Sequence, residues 1–291
     1  MRILIYGAGV IGSLYAALLS EGGFNTTLYA RGKRLERLKK YGLLYLKNGY
    51  VKKANVGIID KLEASDSYHY IFLTVREEQV HQALQELKMN RSPNIVTMVN
   101  TIEHYEEWEK ICGKGRILPA FPGAGGSIDD GVLNAELTPR IIQPTTFGEI
   151  SGKKTEQSRA LAQILKICRI PYQIVPNMHN WQISHLGMVV PIADAYYMSN
   201  NPVNVYKDKK IMDTTAKRMK DNFRTLSKRG ILSPFRFNLF MVCPRPILSF
   251  GLKIVFKSDF GDKFMYRHSM KAPEEMRDLH QKFYDYMKMN M

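Results

Sequence analysis

The sequence predicts an α/β protein, with an N-terminal doubly wound parallel sheet followed by an all-helical C-terminal domain. Three observations carry that expectation. A short apolar run at the start leads straight into closely spaced glycines. Strand-like runs then alternate with helical patterns as far as Pro176. From Met178 onward the strand signals fade and apolar residues recur at three- and four-residue spacing. The chain has 291 residues, 45% hydrophobic and 24% charged, enough to build two cores. The expected boundary separates residues 1–176 from 177–291.

The first element is the run Arg2 to Tyr6, apolar enough for a strand buried on both faces. Gly7, Gly9 and Gly12 follow as G-x-G-x-x-G, and Ile11, Leu14, Tyr15, Leu18 and Leu19 then fall at helical spacing. In a dinucleotide site the first glycine permits the tight turn. The second lets the backbone approach a pyrophosphate, and the third lets helix and strand pack closely. The helix start adds unpaired N–H groups and the positive end of its dipole. Gly7, Ala8, Gly9, Val10, Ile11 and Gly12 are therefore expected to bind a dinucleotide, as in a Rossmann fold. A second strand, "TTLYA" (Thr26 to Ala30), supplies the required context. At its end an acidic residue would hold the ribose of NAD, whereas this chain reads "ARGKR" and has no carboxylate. Arg31, with Lys33 and Arg34 nearby, suits a 2′-phosphate, so NADP is expected over NAD.

Further strand-like runs are "ANVGII" (54–59), "YIFLTV" (70–75), "NIVTMVN" (94–100) and "RILPAF" (116–121). Helical patterns at 76–87 and 102–112 separate several of them. "FPGAGG" reads as a glycine-rich turn, "RIIQPTTFGEISG" as strands, 155–168 as a helix, and "IPYQIVPN" as the last strand. Helices are expected at 181–199, about 209–229, 246–257 and 272–290. In the last of these Pro273 and Glu274 suit a helix start.

The formal net charge of +15 favours anionic partners, but it is spread through the chain and no nucleic-acid motif accompanies it. No apolar run reaches the roughly 18 residues of a membrane span, because Arg245 and Lys253 interrupt "FNLFMVCPRPILSFGLKIVF". The N-terminus lacks a secretory layout, and Cys112, Cys168 and Cys243 are odd in number and widely spaced. These features predict a cytoplasmic protein with reduced thiols, no metal site, no membrane contact and no nucleic-acid partner. No H-E-x-x-H or Ser/His/Asp context suggests hydrolysis.

As a set these motifs resemble the ketopantoate (2-dehydropantoate) 2-reductases, which use NADPH. "IYGAGVIGS" is similar to that family's opening motif, and "ARG" to its NADP-reading turn. "TVREEQV" resembles its valine–lysine stretch, with Arg76 in place of the lysine and Gln79 keeping the glutamine. "MVNT" resembles the turn after its fifth strand: Asn100 keeps the asparagine beside the nicotinamide, and Thr101 replaces a glycine. Ala124 of "FPGAGG" falls where the family has a small residue near the cofactor. The resemblance implies a Rossmann domain and a helical domain for substrate and dimerisation, a carbonyl or keto-acid substrate, NADP as cofactor, and a homodimer as one possible assembly. Arg76, Gln79, Asn100 and Ala124 join the cofactor residues on the same ground.

"NWQISHLGMVVPIADAYY" (Asn180 to Tyr197) departs from the family. There the catalytic helix carries a lysine two residues after a tryptophan, and asparagines four and eight residues later. Counting from Trp181, those places hold Ile183, Gly187 and Pro191. A reduced carbonyl needs a proton, and general-acid help is worth about 10² to 10⁴ in rate. His185 is the leading replacement, and with Asn100 it forms the expected catalytic pair. His179 is a weaker candidate, and Asp194 could orient a histidine. Arg267, His268 and Lys271 could meet an anionic substrate, while Glu275 suits a helix start. Two readings stay open: an NADP(H)-dependent reductase of CH–OH type whose substrate is not ketopantoate, and an NADP-binding sensor or scaffold without efficient turnover.

Overall fold

The computed structural model describes residues 1–233, 237–271 and 273–289. The side chains of His268, Lys271 and Glu275 lie outside the described residues. The chain divides into two compact units, Met1–Met178 and His179–Met291.

The first unit alternates strands and helices as β1 (Arg2–Tyr6), α1 (Val10–Glu21), β2 (Asn25–Tyr29) and α2 (Gly32–Tyr41). An antiparallel pair follows, β3 (Leu43–Lys47) and β4 (Tyr50–Ala54), then β5 (Gly57–Ile59) and β6 (Tyr70–Leu73). The next elements are α3 (Val80–Lys88), β7 (Ile95–Met98), α4 (Tyr105–Cys112) and β8 (Ile117–Phe121). A second antiparallel pair is β9 (Ala124–Asp129) and β10 (Val132–Leu137). β11 (Thr145–Phe147), α5 (Glu156–Ile167) and β12 (Tyr172–Ile174) complete the unit. Eight strands form one sheet in the order β12-β11-β8-β7-β6-β1-β2-β5. From β5 to β8 every pairing is parallel, with Ile3 beside Thr26 on one side and Tyr70 on the other. The order reverses between β1 and β6, the switch point at which such sheets place ligands. β11 runs antiparallel to β8.

A second sheet, ordered β4-β3-β10-β9, was not expected from the sequence. "FPGAGG" is not a simple turn: Ala124 opens β9, and Gly126 pairs with Ala135 of β10. Of "RIIQPTTFGEISG" only Thr145–Phe147 forms a strand, and residues 54–59 split between the ends of β4 and β5. The small sheet explains why α1 has hardly any polar face. The helix packs on β1 and β2 and also against β3, β4, β9 and β10, so Leu14, Tyr15, Ala16, Ala17 and Leu19 are all buried. The Tyr15 hydroxyl, pushed up to about 12 by burial, lies 2.6 Å from Thr145 Oγ1 and ties α1 to β11.

Every regular element of the second unit is helical among its described residues. It contains α6 (Met178–Tyr197), α7 (Lys209–Lys228), α8 (Asn238–Val242), α9 (Arg245–Lys257), α10 (Arg267–Lys271) and α11 (Pro273–Met289). α6 begins at the end of the first unit and is buried along most of its length. Asp194 near its end accepts from Arg218 Nη1 of α7 at 3.0 Å and lies 2.8 Å from His280 Nδ1 of α11. That carboxylate therefore pins three helices together. Among the described residues no helix is long and apolar enough to cross a membrane, and the three cysteines are unpaired.

Pro191 sits inside α6 without breaking it. A proline at that position removes the N–H that would bond the Gly187 carbonyl one turn earlier. The structure supplies another donor: Asn222 Nδ2 of α7, itself buried, donates to Gly187 O at 3.1 Å. A buried carbonyl left unpaired costs about 1–3 kcal/mol. Asn222→Ala should therefore lower unfolding stability by that amount in urea or thermal melts. Pro191→Ala restores the main-chain donor, so the double variant should recover most of the loss; additive losses would show that Asn222 acts by other contacts.

Candidate functional site

The candidate site lies at the carboxyl ends of β1, β2, β6 and β7, within the first unit. Tyr6 ends β1 and Gly7 turns the chain with φ of +118°, a conformation side chains disfavour. A Cβ on Gly7 would stand 2.7 Å from the Thr74 carbonyl oxygen beyond β6. A Cβ on Gly12 would stand 1.9 Å from Gly7 O and 2.4 Å from Thr74 Oγ1, a hydroxyl that donates to Gly7 O at 2.9 Å. A Cβ on Gly9 would meet nothing within 4 Å. The three glycines thus divide as the motif requires: Gly7 for the turn, Gly12 for close packing, and Gly9 facing open space. α1 begins immediately after Gly9, with no side-chain cap on its first N–H groups.

A pocket of about 430 Å³ opens there, lined by Gly7, Ala8, Gly9, Arg31 and Gln79 among the sequence candidates. Val10, Ile11, Gly12, Arg76, Asn100 and Ala124 are not part of its lining. Arg76 is exposed and 3.9 Å from Glu78. Its backbone N–H faces Gln79 Oε1 at 3.4 Å, which holds the short turn between β6 and α3. Asn100 follows β7, and its Oδ1 is buried without a hydrogen-bond partner among the described residues. Such an orphaned acceptor is rare in a core and suits a ligand donor. Thr101, where the family has glycine, donates to the buried Glu77 carboxylate at 2.9 Å, which gives the departure a structural reason.

Arg34 stands beside Arg31 and Lys33 in "ARGKR", and its bonds set it apart from them. Its Nε donates to Ala8 O at 3.1 Å and its Nη2 to Ser13 Oγ at 3.2 Å, which clamps it over the glycine turn. Burial and the neighbouring Arg37 both disfavour its charge, and no carboxylate pairs with it among the described residues. A half-buried cation of that kind calls for an anion. Arg31 differs. Its Nε donates to Tyr29 Oη at 2.6 Å and its Nη2 to Tyr6 Oη at 2.8 Å, and it also pairs with Glu86 of α3. Burial opposes its charge, but the bonds to Tyr29 and Glu86 outweigh it and raise its pKa. No carboxylate stands at the end of β2 in the sequence; the fold brings one from 55 residues away.

In the second unit Ile183, Gly187 and Pro191 are buried. A Cβ on Gly187 would lie 3.3 Å from Leu226 and 3.4 Å from Phe223, so α7 closes that face of α6. His185 is also buried and stacks flat on Trp181, with ring centroids 5.1 Å apart. His179 opens the unit, and Asp194 is taken up by Arg218 and His280 rather than by His185. The described residues hold no group of three or more side chains fit for a metal ion.

A family profile described as Ketopantoate reductase PanE/ApbA matches residues 3–151. "Uncharacterized oxidoreductase YkpB" of Bacillus subtilis is 26% identical over 170 residues, which are 56% of this chain and 54% of that protein. A 2-dehydropantoate 2-reductase of Archaeoglobus fulgidus is 26% identical over 165 residues, covering 57% and 53%. The chain thus spans about half the length of the curated relatives it matches. Among solved structures, D-mandelate dehydrogenase with NADH and anilino(oxo)acetate has a TM-score of 0.66 at 16% identity, covering 99% of both chains. A 2-dehydropantoate 2-reductase from Geobacter metallireducens has a TM-score of 0.70 at 14% identity, covering 98% of this chain and 100% of that one. At these identities the structural matches speak for the fold.

The contrast between two glycines gives a direct test. Gly12→Ala should destabilise the first unit by at least about 1–3 kcal/mol through overpacking. Gly9→Ala should cost less than about 1 kcal/mol in a thermal melt, yet weaken dinucleotide binding at least tenfold. Equal binding by Gly9→Ala and wild type would remove the cradle from the site.

Proposed function

The chain belongs to the ketopantoate reductase PanE/ApbA family, whose profile covers half of it, and on that premise we propose an NADP(H)-dependent oxidoreductase acting on a small carbonyl or keto acid other than ketopantoate. The observation that carries the reading is the glycine cradle, open at Gly9 and closed at Gly12, beside a half-buried arginine, Arg34, that lacks a carboxylate partner among the described residues. Bound NADPH would supply hydride from its nicotinamide. The residues that would hold it are the loop Gly7–Gly12, Arg31, Arg34 and Gln79, with the α1 amides facing its phosphates. Arg31 and Arg34 bring two guanidinium groups to this edge, and Arg34, which has no carboxylate partner among the described residues, supports NADP over NAD by offering charge-assisted bonds to a 2′-phosphate. Asn100 would use its orphaned Oδ1 to orient a donor on nicotinamide or substrate. Arg76 and Ala124 would act from behind this lining, Arg76 by shaping the turn that presents Gln79.

The proton is the harder requirement. An alkoxide formed at the carbonyl oxygen needs an acid, and the family's lysine position is the buried Ile183. His185 is the titratable group nearest in sequence to that position, and an imidazole can deliver a proton near neutral pH. One observation favours the second reading, a nucleotide-binding protein without efficient turnover. The three positions Ile183, Gly187 and Pro191 carry no polar side chain, and α6 is packed at Gly187 against Leu226 and Phe223.

Fluorescence titration should show NADPH binding at tens of micromolar or tighter, and no binding there would end the cofactor reading. A screen of 2-keto acids for NADPH oxidation separates the two readings: turnover on any of them supports the reductase, and binding without turnover supports the second. Where turnover is found, His185→Ala should lower kcat at least tenfold; an unchanged kcat would exclude His185 as the acid.

A further inference from the structure

Dinucleotide folds read the adenosine ribose at the end of the second strand, with a carboxylate for a 2′-hydroxyl or an arginine for a 2′-phosphate. This chain has both at one place. Arg31 leaves β2, and the carboxylate of Glu86 arrives from α3 to pair with it. Tyr6 also donates to Glu86, and Gln82, one turn earlier on α3 and part of the pocket lining, has its Nε2 3.5 Å from the other carboxylate oxygen. Stacked rings of Tyr6 and Tyr29, with centroids 4.4 Å apart, hold their hydroxyls against the same guanidinium. The pair is not a buried structural bridge. Its side chains are 49% and 36% exposed, and exposed pairs contribute about 0–1 kcal/mol. It can therefore open when a stronger anion arrives.

We propose that Glu86 sets the cofactor preference by masking Arg31. With the carboxylate in place, a 2′-phosphate meets a guanidinium already neutralised and a negative charge beside it. A 2′-hydroxyl meets an acceptor for its proton. Arg34, which has no carboxylate partner among the described residues, then carries the main attraction for the 2′-phosphate. The wild-type chain accordingly takes NADH as well as NADPH, and the discrimination between them is held low by a residue 55 positions away from the arginine it controls. The inference rests on the dinucleotide reading above and deepens it.

Two fragments isolate the effect, because 5′-AMP and 2′,5′-ADP differ only in the 2′-phosphate. Their affinities, together with those of NADPH and NADH, would be measured by calorimetry on the full chain. The variants are Glu86→Gln, Arg31→Ala and the double variant, each first checked by thermal melting. Glu86→Gln should raise the preference for 2′,5′-ADP over 5′-AMP about tenfold, a difference of about 1.4 kcal/mol. Arg31→Ala alone should change the preference less than about threefold, and in the double variant it should abolish the tenfold gain. If Glu86→Gln melts early, Glu86→Ala must show the same gain. An unchanged preference in a folded Glu86 variant overturns the proposal while leaving the cofactor reading intact. A tenfold loss in Arg31→Ala alone also overturns it, since Arg31 would then be unmasked in the wild type. Failure of the wild type to bind either NADPH or NADH overturns the cofactor reading and this proposal together.

Discussion

The rest of the nucleotide-binding unit depends on how closely α1 approaches the turn before it. At Gly12 the helix backbone runs so near the Gly7 carbonyl and the Thr74 hydroxyl that a single methyl group has no room. That approach aims the start of α1 across the ends of β1 and β6, where the strand order reverses. It also leaves Gly9 on the open side, so the helix amides and the pocket share one edge. The second sheet has its reason here too. A helix drawn this close to the parallel sheet on one face, and apolar on the other, needs a cover, and β3, β4, β9 and β10 provide it.

α6 shows the opposite adjustment, in which close packing occupies the positions that the resemblance would give to polar side chains. The family's lysine and asparagines are represented by a buried isoleucine, a glycine whose place for a Cβ is bounded by Leu226 and Phe223, and a proline. Proline would leave the Gly187 carbonyl unpaired in the core, and Asn222 satisfies it. An amide side chain thus answers this helix, from α7, and it serves the backbone. The family profile matches residues 3–151 and so ends ahead of this helix.

Much of this was legible in the sequence where the constraint is local. A glycine forced by a tight turn, an apolar run buried on two faces and a proline at a helix start each leave a mark at the residues concerned. The nucleotide loop, the alternation of strands and helices, and the helices after Met178 could be read on that basis. The small sheet could not, because β3 pairs with β10 across nearly ninety residues, and "FPGAGG" looks like a turn until Ala135 is beside Gly126. At the site, Arg31 and Gln79 could be placed in the pocket wall by motif. Arg34 could not be separated from other basic residues of "ARGKR" until its bonds to Ala8 and Ser13 were seen. The burial of His185 against Trp181 was hidden for the same reason, although the four-residue spacing of two rings on one helix was a usable hint.

The end of β2 shows how a charge read locally differs from the charge in space. In sequence it carries arginine and no carboxylate, which makes that point positive. Electrostatics is set by distance in space, and α3 brings Glu86 to the same guanidinium. The two arginines therefore have different standing. Arg31 is exposed, and its charge is already shared among a carboxylate and two hydroxyls. Arg34 is less accessible, and among the described residues it is held by a carbonyl and a serine with no carboxylate to compensate its charge beside the glycine turn. An anion entering the pocket gains more from the second than from the first, although the motif singles out the first.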